Sequence, residues 1–80
     1  MAVKDAVVQR IKQICNQKGI KYNELANLAG VTPSTVYSMM DCNRRDLSII
    51  TIKKLCDGLG ITLGEFFSTP EFDALEQEIR

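Results

Sequence analysis

Tyr22-Asn23-Glu24-Leu25-Ala26-Asn27-Leu28-Ala29-Gly30-Val31-Thr32-Pro33-Ser34-Thr35-Val36-Tyr37-Ser38 reads as two short helices joined by a glycine turn. Leu25, Ala26 and Ala29 fall on one helical face, and Gly30 ends that helix by supplying a positive φ at little cost. Val31 is expected to turn into the core. Thr32 is placed to cap the next helix, with Pro33 at its first position, where a missing N–H is not felt. Helices joined by so short a turn cross steeply, which leaves the second one projecting outward. That is the geometry of a helix-turn-helix, whose second helix enters the DNA major groove.

Around that second helix the residues sort by direction. Val36 and either Met39 or Met40 point inward, which turns Pro33, Ser34, Tyr37, Ser38 and Asp41 outward. The serine hydroxyls suit a base edge or a phosphate, and the rings of Tyr37 and Pro33 suit a thymine methyl. Tyr37 has a second reading, as a cover for the face of the preceding helix. This outward face holds no arginine, so bidentate guanine reading is not expected, and shape at A·T-rich sequence should contribute. The helix N-terminus at Thr32 and Thr35 carries partial positive charge suited to a phosphate. Lys21 and Tyr22 flank it on one side; Asn43, Arg44 and Arg45 flank it on the other, unless that loop is merely solvated.

The remaining chain supplies a scaffold. Val7, Val8, Ile11, Ile14 and Cys15 recur at helical spacing between Asp5, a candidate N-cap, and Lys18, with Gly19 as the exit. Asp41 to Ser48 has no periodicity and reads as a polar loop. A fourth helix begins near Ile49 or Ile50 with Ser48 as cap and runs to Leu59; Gly60 ends it, and Gly58 weakens its last turn. Thr62-Leu63-Gly64-Glu65 is a capping box opening a short fifth helix that delivers Phe66 and Phe67. Thr69 and Pro70 start another, on which Phe72, Leu75 and Ile79 form one apolar stripe among acids. The fold class is all-α.

An 80-residue chain with 45% apolar and 25% charged residues makes one domain, with little room for a catalytic cleft. No apolar run approaches the roughly 20 residues of a membrane span, and no signal segment precedes the first helix, so a cytoplasmic setting is expected. Histidine is absent, and Cys15, Cys42 and Cys56 make no C-x-x-C pair, so no metal or other cofactor is expected. Cys15 and Cys56 read as small buried hydrophobes, while Cys42 lies in the loop beside Arg44 and Arg45. No nucleophile–base set or glycine-rich phosphate loop supports an enzyme, and no small-molecule pocket is evident. Net charge is zero but polarised: nine bases face four acids from Met1 to Lys54, and one base faces six acids beyond. A basic front and an acidic tail suit a protein that presents one end to a polyanion.

Taken in order, Arg10-Ile11-Lys12, Lys18-Gly19-Ile20, Asn23-Glu24-Leu25-Ala26, Gly30-Val31-Thr32-x-Ser34-Thr35-Val36, Thr51-Ile52-x-Lys54-Leu55-Cys56 and Leu59-Gly60-Ile61-x-Leu63-x-Glu65-Phe66-Phe67 resemble the phage-repressor and Cro-type (XRE) helix-turn-helix regulators. The resemblance implies a compact five-helix, lambda-repressor-like DNA-binding domain over residues 1–67, followed by a helical tail over residues 68–80. It also implies a bacterial or phage transcription factor, a repressor by family habit, that binds double-stranded DNA as a homodimer. Tyr22 stands where the family usually has a glutamine, Lys21 where it has a serine or threonine cap, and Asp46-Leu47 where it has Asn-Pro. The tail stripe of Phe72, Leu75 and Ile79 is the expected dimerisation element, or else closes over its own core. The alternative function is a protein-interaction module on the same scaffold, with weak or no operator reading.

Overall fold

The computed structural model describes residues 1–79, which form six helices and, among those residues, no strand. Helix α1 spans Val3–Lys18, α2 Tyr22–Ala29, α3 Pro33–Met40, α4 Ile49–Leu59, α5 Leu63–Phe66 and α6 Pro70–Asp73. The first five enclose one core, built from Val7, Ile11 and Ile14 of α1, Leu25 of α2, Val36 of α3, Leu55 of α4 and Phe66 of α5.

Three helices end in the same way. Gly19, Gly30 and Gly60 take φ of 64°, 69° and 72°. The N–H of the following residue then reaches back, Ile20 to the Cys15 carbonyl at 3.1 Å, Val31 to Ala26 and Ile61 to Cys56 at 3.0 Å. These are Schellman turns, and Ile20, Val31 and Ile61 pack, partly buried, against the core edge. Each turn thus fixes the direction in which the next helix leaves.

The start of α1 differs from expectation. Asp5 is not the cap: the helix begins two residues earlier, with Ala2 at the cap position, and the Asp5 carboxylate accepts the Ala2 N–H at 3.3 Å. An acid at the third helical position serves an orphan amide there, which shifts the boundary toward Val3. Lys4, on the core-facing stripe ahead of Val7 and Ile11, is buried, and its Nζ finds no hydrogen-bond partner among the described residues.

Gly58 is a packing position. A Cβ there would lie 2.6 Å from the Leu28 carbonyl carbon and oxygen and 2.8 Å from the Ala29 nitrogen. Helix α4 therefore touches the backbone of α2, and only glycine fits that approach. Arg10 is a second scaffold residue hidden from sequence reading. Its Nε and Nη2 donate to the Phe66 and Glu65 carbonyls at 2.7 and 2.8 Å, closing the C-terminal end of α5.

The tail departs most. Helix α6 stops at Asp73, so Phe72, Leu75 and Ile79 do not share one helical stripe. Phe72 turns onto the domain, its ring centroid 4.9 Å from that of Phe67 and 6.2 Å from that of Phe66. Beyond it the Glu76 N–H donates to the Met1 carbonyl, and the Glu76 carboxylate pairs with the Met1 ammonium, both at 3.3 Å. Those contacts hold the segment against the start of α1. Ile79 is left 85% exposed.

Candidate nucleic-acid interface

Helix α3 is anchored by Val36 and Met39, both buried, which settles the inward residue as Met39; Met40 is partly buried. At its N-terminus the Thr32 Oγ1 accepts the Thr35 N–H at 3.4 Å, and lies 3.1 Å from the Ser34 hydroxyl and 3.0 Å from that of Thr35. Three hydroxyls are thereby gathered at the positive end of a helix whose opening residue, Pro33, has no N–H of its own. Pro33, Ser34 and Tyr37 are exposed, and Ser38 is partly so. The outward face is thus a short polar strip ending in an aromatic ring.

That ring is held. Tyr37 and Tyr22 meet edge to face, with centroids 5.8 Å apart and planes at 78°. Tyr22 is the more covered partner, and burial raises its phenol above the ordinary tyrosine value, with Cys15 and Tyr37 adding to the rise. It stays protonated at neutral pH, as an O–H donor. The Tyr22 ring packs on α3 while it stays next to Lys21 on the groove described below.

On another flank, Thr35 and Ser38 of α3 face Asn43, Arg44 and Arg45 of the loop and Ser48 and Thr51 of α4 across a cleft of about 470 Å³. Asp41, which the helical rotation directs outward, organises this loop instead of the interface. Its Oδ1 accepts the Asn43 N–H at 2.9 Å, and its Oδ2 lies 3.9 Å from the Arg44 Nε. An aspartate hydrogen-bonded two residues ahead is an Asx turn, a signal present in Asp41-Cys42-Asn43 that periodicity does not detect. Arg45 leans the other way, its Nη1 3.6 Å from the Asp5 carboxylate of α1. The structure therefore brings Thr32, Ser34 and Thr35 together, pairs Tyr22 with Tyr37, and sets the loop cations beside acids. Phe72 is joined to the Phe66–Phe67 cluster and takes no part in this surface.

Burial raises the thiols of Cys15 and Cys56, which fits inert core residues, whereas Cys42 is exposed. Among the described residues, no helix is long and apolar enough to cross a membrane.

Two short helices joined by a glycine turn, the second anchored by Val36 and Met39 and set with α2 on a scaffold of three further helices, define a helix-turn-helix domain. Residues 10–71 match the family described as the Cro/C1-type HTH DNA-binding domain, and the chain belongs to that family. It is a DNA-binding and not a catalytic family. The HTH-type transcriptional regulators PuuR of Escherichia coli (strain K12) and of Shigella flexneri are each 35% identical over 63 residues, covering 79% of this chain. The chain spans about a third, 34%, of the length of those relatives. The crystal structure of the prophage Lp1 protein 11 superimposes with a TM-score of 0.82 at 30% identity, covering 94% of this chain and 100% of that one.

Proposed function

We propose that this chain acts in transcription regulation as a repressor in the cytoplasm, reading double-stranded DNA with α3 in the major groove. The observation that carries the reading is the outward face of α3, where hydroxyls and an aromatic ring stand exposed over the buried anchors Val36 and Met39. Ser34, Ser38, Tyr37 and Pro33 are the base-facing set. Thr32, Thr35, Lys21, Tyr22, Asn43, Arg44 and Arg45 hold the backbone. Residues 1–67 form the reading unit, and a homodimer places two copies of α3 on a two-fold operator. The exposed end of the tail, Glu76 to Ile79, supports a contact between copies, with Phe72 committed to its own domain.

The test is fluorescence anisotropy of a labelled duplex titrated with protein at several salt concentrations. Affinity should fall by powers of ten between about 50 and 200 mM salt, because neutralised phosphates release counterions. Binding that ignores salt, or no binding at all, would transfer the scaffold to a protein-interaction role.

A further inference from the structure

The cations most free to meet DNA are not those of the α3–α4 loop. Arg44 and Arg45 each stand beside a carboxylate, Asp41 at 3.9 Å and Asp5 at 3.6 Å. On a different flank of α3, a groove of about 510 Å³ runs between α1 and the start of α2, lined by Lys12, Asn16, Ile20, Lys21, Tyr22 and Tyr37. Tyr37 and Thr35 are two residues apart on α3, so they project roughly 160° from one another, and the groove and the loop cleft open on separate sides. Lys12 and Lys21 are both exposed, and among the described residues neither forms an ion pair. The nearest acid in sequence to Lys21 is Glu24, and its Oε1 accepts the Lys21 main-chain N–H at 3.4 Å, not the ammonium.

We propose that this groove is the principal seat for the sugar–phosphate backbone of one DNA strand, and that Lys12 and Asn16 of α1 belong to the interface. The proposal rests on the DNA-binding reading above. A phosphodiester is an anion flanked by an apolar ring, and the groove matches both parts. Two uncompensated ammonium groups and the Asn16 amide N–H supply the donors, with the protonated Tyr22 hydroxyl beside them. The edge-to-face tyrosine pair supplies a rigid apolar wall for the deoxyribose. Lys12 and Asn16 lie four residues apart on α1, so they stand on one face, one turn apart. Because Tyr37 belongs both to this wall and to the outward face of α3, a strand seated here is placed in register with the bases that α3 meets.

Charge then distinguishes the two flanks. An arginine already beside a carboxylate brings less net positive charge to a phosphate than an unpaired lysine does, although an exposed pair is itself weak. The α1–α2 flank should therefore dominate the salt dependence.

The experiment measures duplex affinity against salt for the full chain and for Lys12→Gln, Lys21→Gln and Arg44→Gln/Arg45→Gln. Each lysine variant should lower the slope of log affinity on log salt by about 0.9, the value for one phosphate contact. The double arginine variant should lower it by less than the two lysine variants together. Asn16→Ala should weaken binding about threefold with the slope unchanged, since a neutral donor releases no counterion. All five side chains are exposed, so melting temperatures should match the wild type and a lost contact is not confused with lost folding. Lysine acetylation provides a second reading: duplex should protect Lys12 and Lys21 but leave Lys18 and Lys54 reactive, and inorganic phosphate at equal ionic strength should protect none. A wild-type slope retained by Lys12→Gln, protection by inorganic phosphate, or a larger loss from the arginines overturns the proposal while leaving DNA binding intact. A wild-type protein that binds no duplex removes both.

Discussion

Helices α3 and α6 open on the same two residues, threonine then proline, and are held differently. Thr32-Pro33 starts a helix of eight residues, and Thr69-Pro70 one of four. In α3 the threonine hydroxyl accepts the N–H three residues on, and Val36 and Met39 are both buried. In α6 the threonine makes no side-chain cap, no residue is fully buried, and Phe72 alone reaches the core, partly covered. A cap and a proline start a turn; they do not decide how far it continues. Further turns persist while successive anchors at helical spacing find cover, because an isolated helix this short is not stable in water. Leu75 and Ile79 have the spacing, but Leu75 is only partly covered and Ile79 is left exposed.

The largest effect should come from beneath α2. Gly58→Val places a side chain into the backbone of Leu28 and Ala29, which must move, and should cost about 3 kcal/mol or more. Thermal melting should show a fall on the order of 10 °C or an absent transition. A normal melting curve would mean that α2 and α4 separate easily, and that α3 is held by its own anchors alone.

Val36→Ala should cost about 2 kcal/mol, as a lost buried branch. The matching change in α6, Phe72→Ala, should cost about 1 kcal/mol, since the ring is only partly covered, and Ile79→Ala close to none. Equal losses from Val36 and Ile79 in denaturant titration would erase the contrast between the two helices. A change of the opposite sign is expected at Lys4, close to where the tail meets α1. Lys4→Met removes a buried amino group that has no hydrogen-bond partner among the described residues, and should raise stability by about 1 kcal/mol.

Cysteine reactivity is the most delicate probe. Cys42 should react with a thiol reagent at once, and Cys15 and Cys56 only as fast as the core opens, being both buried and raised in pKa. Rapid labelling of all three would show that the core under α2 and α3 is as open as the tail.

The α2–α3 pair was the legible part of the sequence. Gly30, Thr32 and Pro33 act through local backbone chemistry, and the helix bounds from Tyr22 to Met40 follow from them. Gly58 carries no local mark of its role, because the backbone it touches is some thirty residues earlier in the chain. Arg10 closes α5 from 55 and 56 residues away, a partnership no spacing announces. The tail misled for a related reason: periodicity names a face and is silent on whether anything covers it. At the candidate interface the residue types were readable but their pairings were not. Nothing in the composition tells that Arg45 turns to Asp5 while Lys12 has no acid partner among the described residues.

The central claim, that the outward face of α3 reads bases, is met most directly by selecting duplexes from a random pool with the wild-type chain and with a Ser34→Ala/Tyr37→Ala/Ser38→Ala variant. The wild type should enrich one motif, A·T-containing and two-fold symmetric. The variant should bind DNA with a similar salt dependence but enrich a different motif or none, each lost base contact being worth about 1–3 kcal/mol. Recovery of the same motif by both proteins would contradict the account, and would place sequence reading on some other surface of the molecule.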